Sequence, residues 1–142
     1  MRALNHQNII KLYEIYETEN SIYLVMEKIL EKNLELVMND ASSSKVNIQK
    51  IIFSLLETLS YLDSQNILHL NIKPRNIIVD YASNIKIANF ALSLFGHAPK
   101  EFFRTCGTPG YMAPEIINSD DENEGFYSRC DIYSAGCVFF EM

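Results

Sequence analysis

Apolar positions along the chain change their spacing from segment to segment, and each change marks an element. Between Ile9 and Ile29, I-I-K-L-Y-E-I-Y-E-T-E-N-S-I-Y-L-V-M-E-K-I holds two aromatic and β-branched runs around a polar stretch, Glu17 to Ser21. That pattern predicts an antiparallel hairpin. Leu34 to Met38 reads as a short helix, and D-A-S-S-S-K from Asp40 as a polar linker. Next, Ile48, Ile51, Ile52, Leu55, Leu56, Leu59 and Leu62 recur at spacings of three and four. They predict an amphipathic helix between Asn47 and Gln65, with Asn47 as its N-cap. Two strand-like runs follow, Asn76 to Val79 and Asn84 to Ala88, joined by the turn D-Y-A-S. Beyond Pro99 the chain reads mostly as loop through Ser119, then as the acidic stretch D-D-E-N-E-G. The segment from Asp131 to Met142 is apolar and helical in character, and it closes on C-V-F-F-E-M without a stop signal. The expectation is a truncated chain.

Composition narrows the function classes. The chain has 142 residues, 48% hydrophobic and 21% charged, enough for one domain with its own core. A net charge of −6 and a pI near 5.0 argue against a nucleic-acid or anionic-membrane partner, which needs a basic surface. Cys106, Cys130 and Cys137 neither pair evenly nor show C-x-x-C spacing, so reduced thiols are expected rather than disulfides or zinc. No signal core opens the chain, and no run approaches the ~18 apolar residues of a membrane span. An intracellular, cytoplasmic location is the expectation.

The chemistry-bearing motifs come in a fixed order. They are L-N-H-Q-N-I-I-K-L, I-Y-L-V-M-E, H-L-N-I-K-P-R-N, I-K-I-A-N-F-A-L-S, C-G-T-P-G-Y-M-A-P-E and D-I-Y-S-A-G-C. In this order the chain resembles the eukaryotic protein kinases over essentially its whole length. Lys73, and Thr108 in G-T-P-G-Y, point to the Ser/Thr branch, and the style of the hairpin and of the A-P-E segment to calmodulin-dependent-like kinases. The resemblance implies an α+β, protein-kinase-like fold that is incomplete. Residues 1–28 would be a remnant of the N-lobe sheet, with strands 4 and 5 and the hinge. Residues 29–142 would be a partial, mostly helical C-lobe. Against the family fold, the glycine-rich loop, the strand-3 lysine and the helix-C glutamate would be missing ahead of the N-lobe remnant.

The same resemblance assigns roles to individual residues. Asn71 stands at the catalytic base position, with Lys73 and Thr108 beside it. Met26 takes the gatekeeper place, Glu27 and Ile29 the adenine edge, and Ile78 the floor beneath adenine. Asn76 and Asn89 take the metal positions. His69 and Phe90 resemble the stack of side chains linking the lobes, although a plain core role is the blander reading for His69. Glu115 belongs to the A-P-E motif, and Asp131 resembles the aspartate that hydrogen-bonds the catalytic-loop backbone. ATP and Mg²⁺ are the implied cofactors, and a protein substrate or partner is implied with them.

Departures from the family pattern carry most of the functional argument. Asn71 and Asn89 replace both catalytic aspartates. An amide has no useful basicity near neutral pH, and general-base help is typically worth ~10²–10⁴ in rate. An amide oxygen can meet a metal as a dipole but brings no charge. Leu70 replaces the arginine that binds a phosphorylated activation loop, Arg104 stands where the phosphothreonine usually sits, and Thr105 has no evident cationic receptor. Ala91 replaces a glycine. His6 and His97 read as surface or capping residues, and Asp120 to Glu124 as a solvated loop. The leading reading is a catalytically impaired pseudokinase acting as a scaffold or allosteric regulator. The alternatives are an atypical ATP-dependent protein Ser/Thr kinase and a half-domain with no independent function. The isolated chain is expected to bind ATP poorly.

Overall fold

A computed structural model describes residues 4–40, 46–98, 107–117 and 129–142. Arg104, Thr105, Cys106, most of the polar linker and the acidic run Asp120 to Glu124 lie outside the described residues.

Strands β1 (Leu12–Thr18) and β2 (Ser21–Met26) form the expected antiparallel hairpin. Its turn is tighter than the polar run suggested, because Glu17 pairs with Ile22 and Thr18 with Ser21. The Thr18 hydroxyl also donates to the Ser21 carbonyl (3.2 Å), so polar residues extend the ladder instead of ending it. Next come β3 (Lys32–Asn33) and α1 (Leu34–Met38), which starts where the Asn33 side chain accepts the Leu36 N–H. Helix α2 (Ile48–Ser64) matches its periodicity, and Asn47 caps it by accepting the Lys50 N–H at 3.0 Å.

Strands β5 (Ile77–Val79) and β6 (Ile85–Ile87) pair antiparallel, with β3 completing a three-stranded sheet in the order β3-β5-β6. Asp80 shapes their turn by accepting the backbone N–H groups of Ala82 and Asn84. Strands β4 (Ile67–Leu68) and β7 (Leu94–Phe95) form a small second pair. A short helix α3 (Pro114–Ile117) lies in the stretch read as mostly loop, and α4 (Cys130–Glu141) closes the described structure. Two-residue strands and a one-turn helix are too short to leave a period in the sequence.

These elements make the α+β fold expected of a protein-kinase-like chain. Its main core lies where Ile51, Leu55, Leu59 and Leu62 of α2 meet Ile77, Val79, Ile85 and Ile87 of the sheet and Ala135 and Val138 of α4. A second cluster joins Leu68 and Leu70 to Ala113, Ile116 and Cys130. The hairpin stands outside both: from Tyr13 to Met26 every residue is exposed.

Candidate functional site

The loop between β4 and β5 is organised by one buried carboxylate. Asp131, in the first turn of α4, accepts the backbone N–H groups of His69 (2.6 Å) and Leu70 (2.8 Å). Leu70 has φ +61°, a left-handed conformation that leucine rarely adopts and that costs roughly 1–3 kcal/mol. Asp131 holds this backbone from one side. On the other, the Leu70 side chain is buried with Ala113, Ile116 and Cys130. Burial raises the Asp131 carboxyl above its ordinary value, and the two N–H bonds offset part of that shift. Burial also drives the Cys130 thiol strongly upward, which makes it a poor nucleophile.

His69 is fully buried, and its tautomer follows from its neighbours. The Asn71 N–H donates to Nδ1 (3.2 Å), so Nε2 carries the proton and donates to the Ala88 carbonyl (3.1 Å). Protonating Nδ1 would break the first bond inside a dry site. Burial accordingly lowers the ring's pKa to about 4, although the Ala88 bond pulls the other way. Phe90 packs edge-on against the ring with centroids 4.6 Å apart. His69 thus ties the loop to the strand end carrying Asn89.

At the centre of the site Lys73 Nζ donates to Thr108 Oγ1 (2.8 Å), and Thr108 Oγ1 donates to Asn71 Oδ1 (3.1 Å). The ammonium can only donate, so the threonine oxygen accepts from it and sends its own proton to Asn71. Asn71 must therefore present its carbonyl oxygen to Thr108. Its amide nitrogen, a donor without basicity, is left for anything else that approaches.

Asn76 is buried and fixes the loop from within, its Nδ2 donating to the Asn71 carbonyl at 2.7 Å. That bond turns Asn76 Oδ1 toward Asn89, whose Nδ2 donates to it at 3.4 Å. Asn89 itself is exposed and has φ +65°, a conformation asparagine tolerates well. The two metal-position residues thus meet each other through neutral amides. Mg²⁺ calls for carboxylate oxygens at near-octahedral geometry. Here the donor set is two amide oxygens, one of them already accepting a hydrogen bond, and no group of three His, Cys, Asp or Glu side chains suited to a metal occurs among the described residues. These residues do not fit Mg²⁺.

Of the residues expected around a nucleotide, Glu27, Ile29 and Ile78 line one cleft of about 690 Å³. Met26 is exposed at the end of β2 and is not among the lining residues. The Glu27 carboxylate does not project free into the cleft. It pairs with Lys86 (2.9 Å) and accepts the Lys11 N–H (3.2 Å). Burial pushes its pKa up, but these bonds more than offset that and leave it below the ordinary value. Glu115 is half-buried in the first turn of α3. His6 Nδ1 accepts the Asn8 N–H and its ring stacks on Tyr61, while the His97 ring lies beside the Asn66 amide.

Sequence reasoning overlooked two residues here. Lys86 gives no signal beyond its place between Ile85 and Ile87, where strand alternation turns it away from the core. Tyr111, whose hydroxyl donates to the Glu141 carboxylate (2.8 Å), sits inside the C-G-T-P-G-Y-M-A-P-E run, where nothing in the sequence singles it out. Burial first and this bond second push its phenol up to about 12.

The model of the protein kinase domain family matches residues 1–142. The serine/threonine-protein kinase cds1 of Schizosaccharomyces pombe is 33% identical over 146 residues, which cover 100% of this chain and 32% of that protein. Mouse serine/threonine-protein kinase 33 is 35% identical, over 99% of this chain and 30% of its own length. CBL-interacting serine/threonine-protein kinase 15 of Arabidopsis thaliana is 35% identical, over 100% of this chain and 34% of that protein. The chain spans about a third of the length of the curated relatives it matches.

Proposed function

The chain belongs to the protein kinase family, and from that premise we propose that it is a catalytically impaired Ser/Thr-kinase-like domain that works by binding, as a scaffold or allosteric regulator in signalling. In this reading residues 1–28 are a remnant of the small lobe's sheet, and residues 29–142 form a partial large lobe. The domain acts inside the cell, in the cytoplasm, on a protein partner.

One observation carries the reading: the Lys73–Thr108–Asn71 series commits the Asn71 oxygen to Thr108. Proton acceptance needs a basic atom within hydrogen-bond reach of the substrate hydroxyl. Asn71 offers an N–H there instead. Its amide still supports the loop, since Asp131, His69 and Asn76 keep the backbone in place around it. Loop architecture and base chemistry are separable at this position.

The family generally uses ATP and Mg²⁺, and phosphoryl transfer depends on positioning and charge compensation more than on covalent help. The neutral Asn76–Asn89 pair supplies no charge to hold a divalent cation. Lys73 remains as the cation of the site. No helix among the described residues is long and apolar enough to cross a membrane.

The test compares the unaltered protein with Asn71→Asp/Asn89→Asp, each given labelled ATP, Mg²⁺ and a mixed Ser/Thr peptide library. No transfer by the unaltered protein is expected, and the double variant should gain measurable transfer only where the scaffold around the two restored carboxylates is otherwise intact. Turnover by the unaltered protein within the roughly 1–100 s⁻¹ of working kinases would overturn the reading. A double variant as inert as its parent would refute the simple account in which two lost carboxylates explain the impairment.

A further inference from the structure

The hairpin poses a mechanical problem. Tyr13 to Met26 are all exposed, and the hydrogen bonds within β1 and β2 join the two strands only to each other. A two-stranded hairpin alone in water is marginal, and nothing in its own pairing sets its angle to the rest of the molecule. That angle must come from the few atoms at its base.

Those atoms converge on β6. On one side the chain entering the hairpin is stitched to Ile87 by backbone bonds: Ile87 N–H to the Asn8 carbonyl (2.7 Å) and Ile10 N–H to the Ile87 carbonyl (3.0 Å). Lys86, one residue earlier, points to the opposite face of the strand. Its Nζ donates both to the Gln7 carbonyl (3.2 Å), before the hairpin, and to Glu27 Oε2 (2.9 Å), after it. The same carboxylate oxygen accepts the Lys11 N–H, and the Glu27 N–H donates to the Lys11 carbonyl (2.8 Å). One ammonium therefore bridges the incoming and outgoing chain. Side-chain exposures of 32% for Lys86 and 26% for Glu27 shield the pair partly from solvent.

We propose that Lys86 is a positioning residue: through Glu27 it clamps the base of the hairpin and sets the wall of the Glu27–Ile29–Ile78 cleft before any ligand arrives. The cleft is thereby preorganised, and loosening the pair tilts one wall while leaving the α2–α4 core intact. The clamp does not rest on the functional reading above, and its test detects no phosphate transfer, so either can fail alone.

Hydrogen–deuterium exchange of the full chain provides the measurement, with Lys86→Met, Glu27→Gln and the conservative Lys86→Arg. Lys86→Met and Glu27→Gln are each expected to speed exchange of the amides of residues 12–26 several-fold while those of α2 and α4 stay as they were. Lys86→Arg, which can still donate to both the Gln7 carbonyl and Glu27, is expected to keep most of the protection. Unaltered hairpin exchange in Lys86→Met would overturn the proposal, as would a Lys86→Arg variant no better protected than Lys86→Met. The unaltered chain supplies an independent arm if a variant fails to fold. Salt screens a partly exposed ion pair, so hairpin exchange should rise with ionic strength while α2 does not. A flat response would count against the clamp.

Discussion

The loop from His69 to Asn76 and the hairpin from Leu12 to Met26 are each held by a handful of hydrogen bonds, yet at opposite extremes of burial. At the loop, His69, Asn71 and Asn76 and the α4 carboxylate of Asp131 are all buried, and their hydrogen bonds join the loop to itself, to α4, to Thr108 and to the end of β6. In the hairpin, Tyr13, Tyr16, Ile22 and Tyr23 are all more than half exposed, and pairing is local. A bond in a dry site cannot be exchanged for one to water, so losing it carries the full desolvation penalty. A bond or side chain on an open hairpin can be lost at little cost. The loop backbone is consequently held from several sides at once even where amides stand at positions 71 and 89, and the hairpin depends on its base.

The largest break in this contrast should come from Asp131→Ala. It strands two buried N–H groups, which should cost about 4 kcal/mol of unfolding free energy, less whatever relaxation of the strained Leu70 backbone returns. Denaturant melts read this directly. A loss below about 1 kcal/mol would mean that the loop is not organised from α4.

Acid should act next, and its sign follows from His69. The folded ring titrates near 4 against 6.5 in the unfolded chain, so the unfolded state takes the proton first. Its contribution is complete above pH 6.5 and is lost as the pH falls through about 4, a total of about 3 kcal/mol. Asp131 runs the other way: its carboxyl is raised from 3.8, the folded form protonates more readily, and part of the loss is offset at the acid end. Stability measured across this window should fall with acid in the unaltered chain and much less in His69→Phe. Parallel curves would sink the assignment.

The smallest effect should come from the hairpin itself. Ile22→Thr with Leu24→Thr removes two exposed apolar side chains while leaving a β-branched residue at both positions, and should shift stability by no more than about 0.5 kcal/mol. Self-association measured by sedimentation should fall, because less apolar surface meets water. A drop in stability comparable to that of Asp131→Ala would show that the hairpin is packed after all.

Much of this molecule was legible from its residues. Helix α2 announces itself through seven apolar positions on one face and an asparagine cap, and the hairpin through two β-branched and aromatic runs. The motifs around Asn71 and Asn89 are contiguous, so the loss of both carboxylates needed no coordinates. Strands β3, β4 and β7 and helix α3 were not legible, since two-residue strands and a one-turn helix carry no period and form only where a partner from elsewhere in the chain completes them.

The sequence by itself determined the family, the fold class and the absence of a base at position 71, because each depends on residue identity and local order. Tertiary structure alone decided which way the Asn71 amide faces, since Lys73 and Thr108 meet there across 35 residues. It also decided that Asn76 and Asn89 hydrogen-bond each other, and that Lys86 clasps both sides of the hairpin's base. These are pairings between distant segments, and hydrogen bonds and ion pairs form by distance in space.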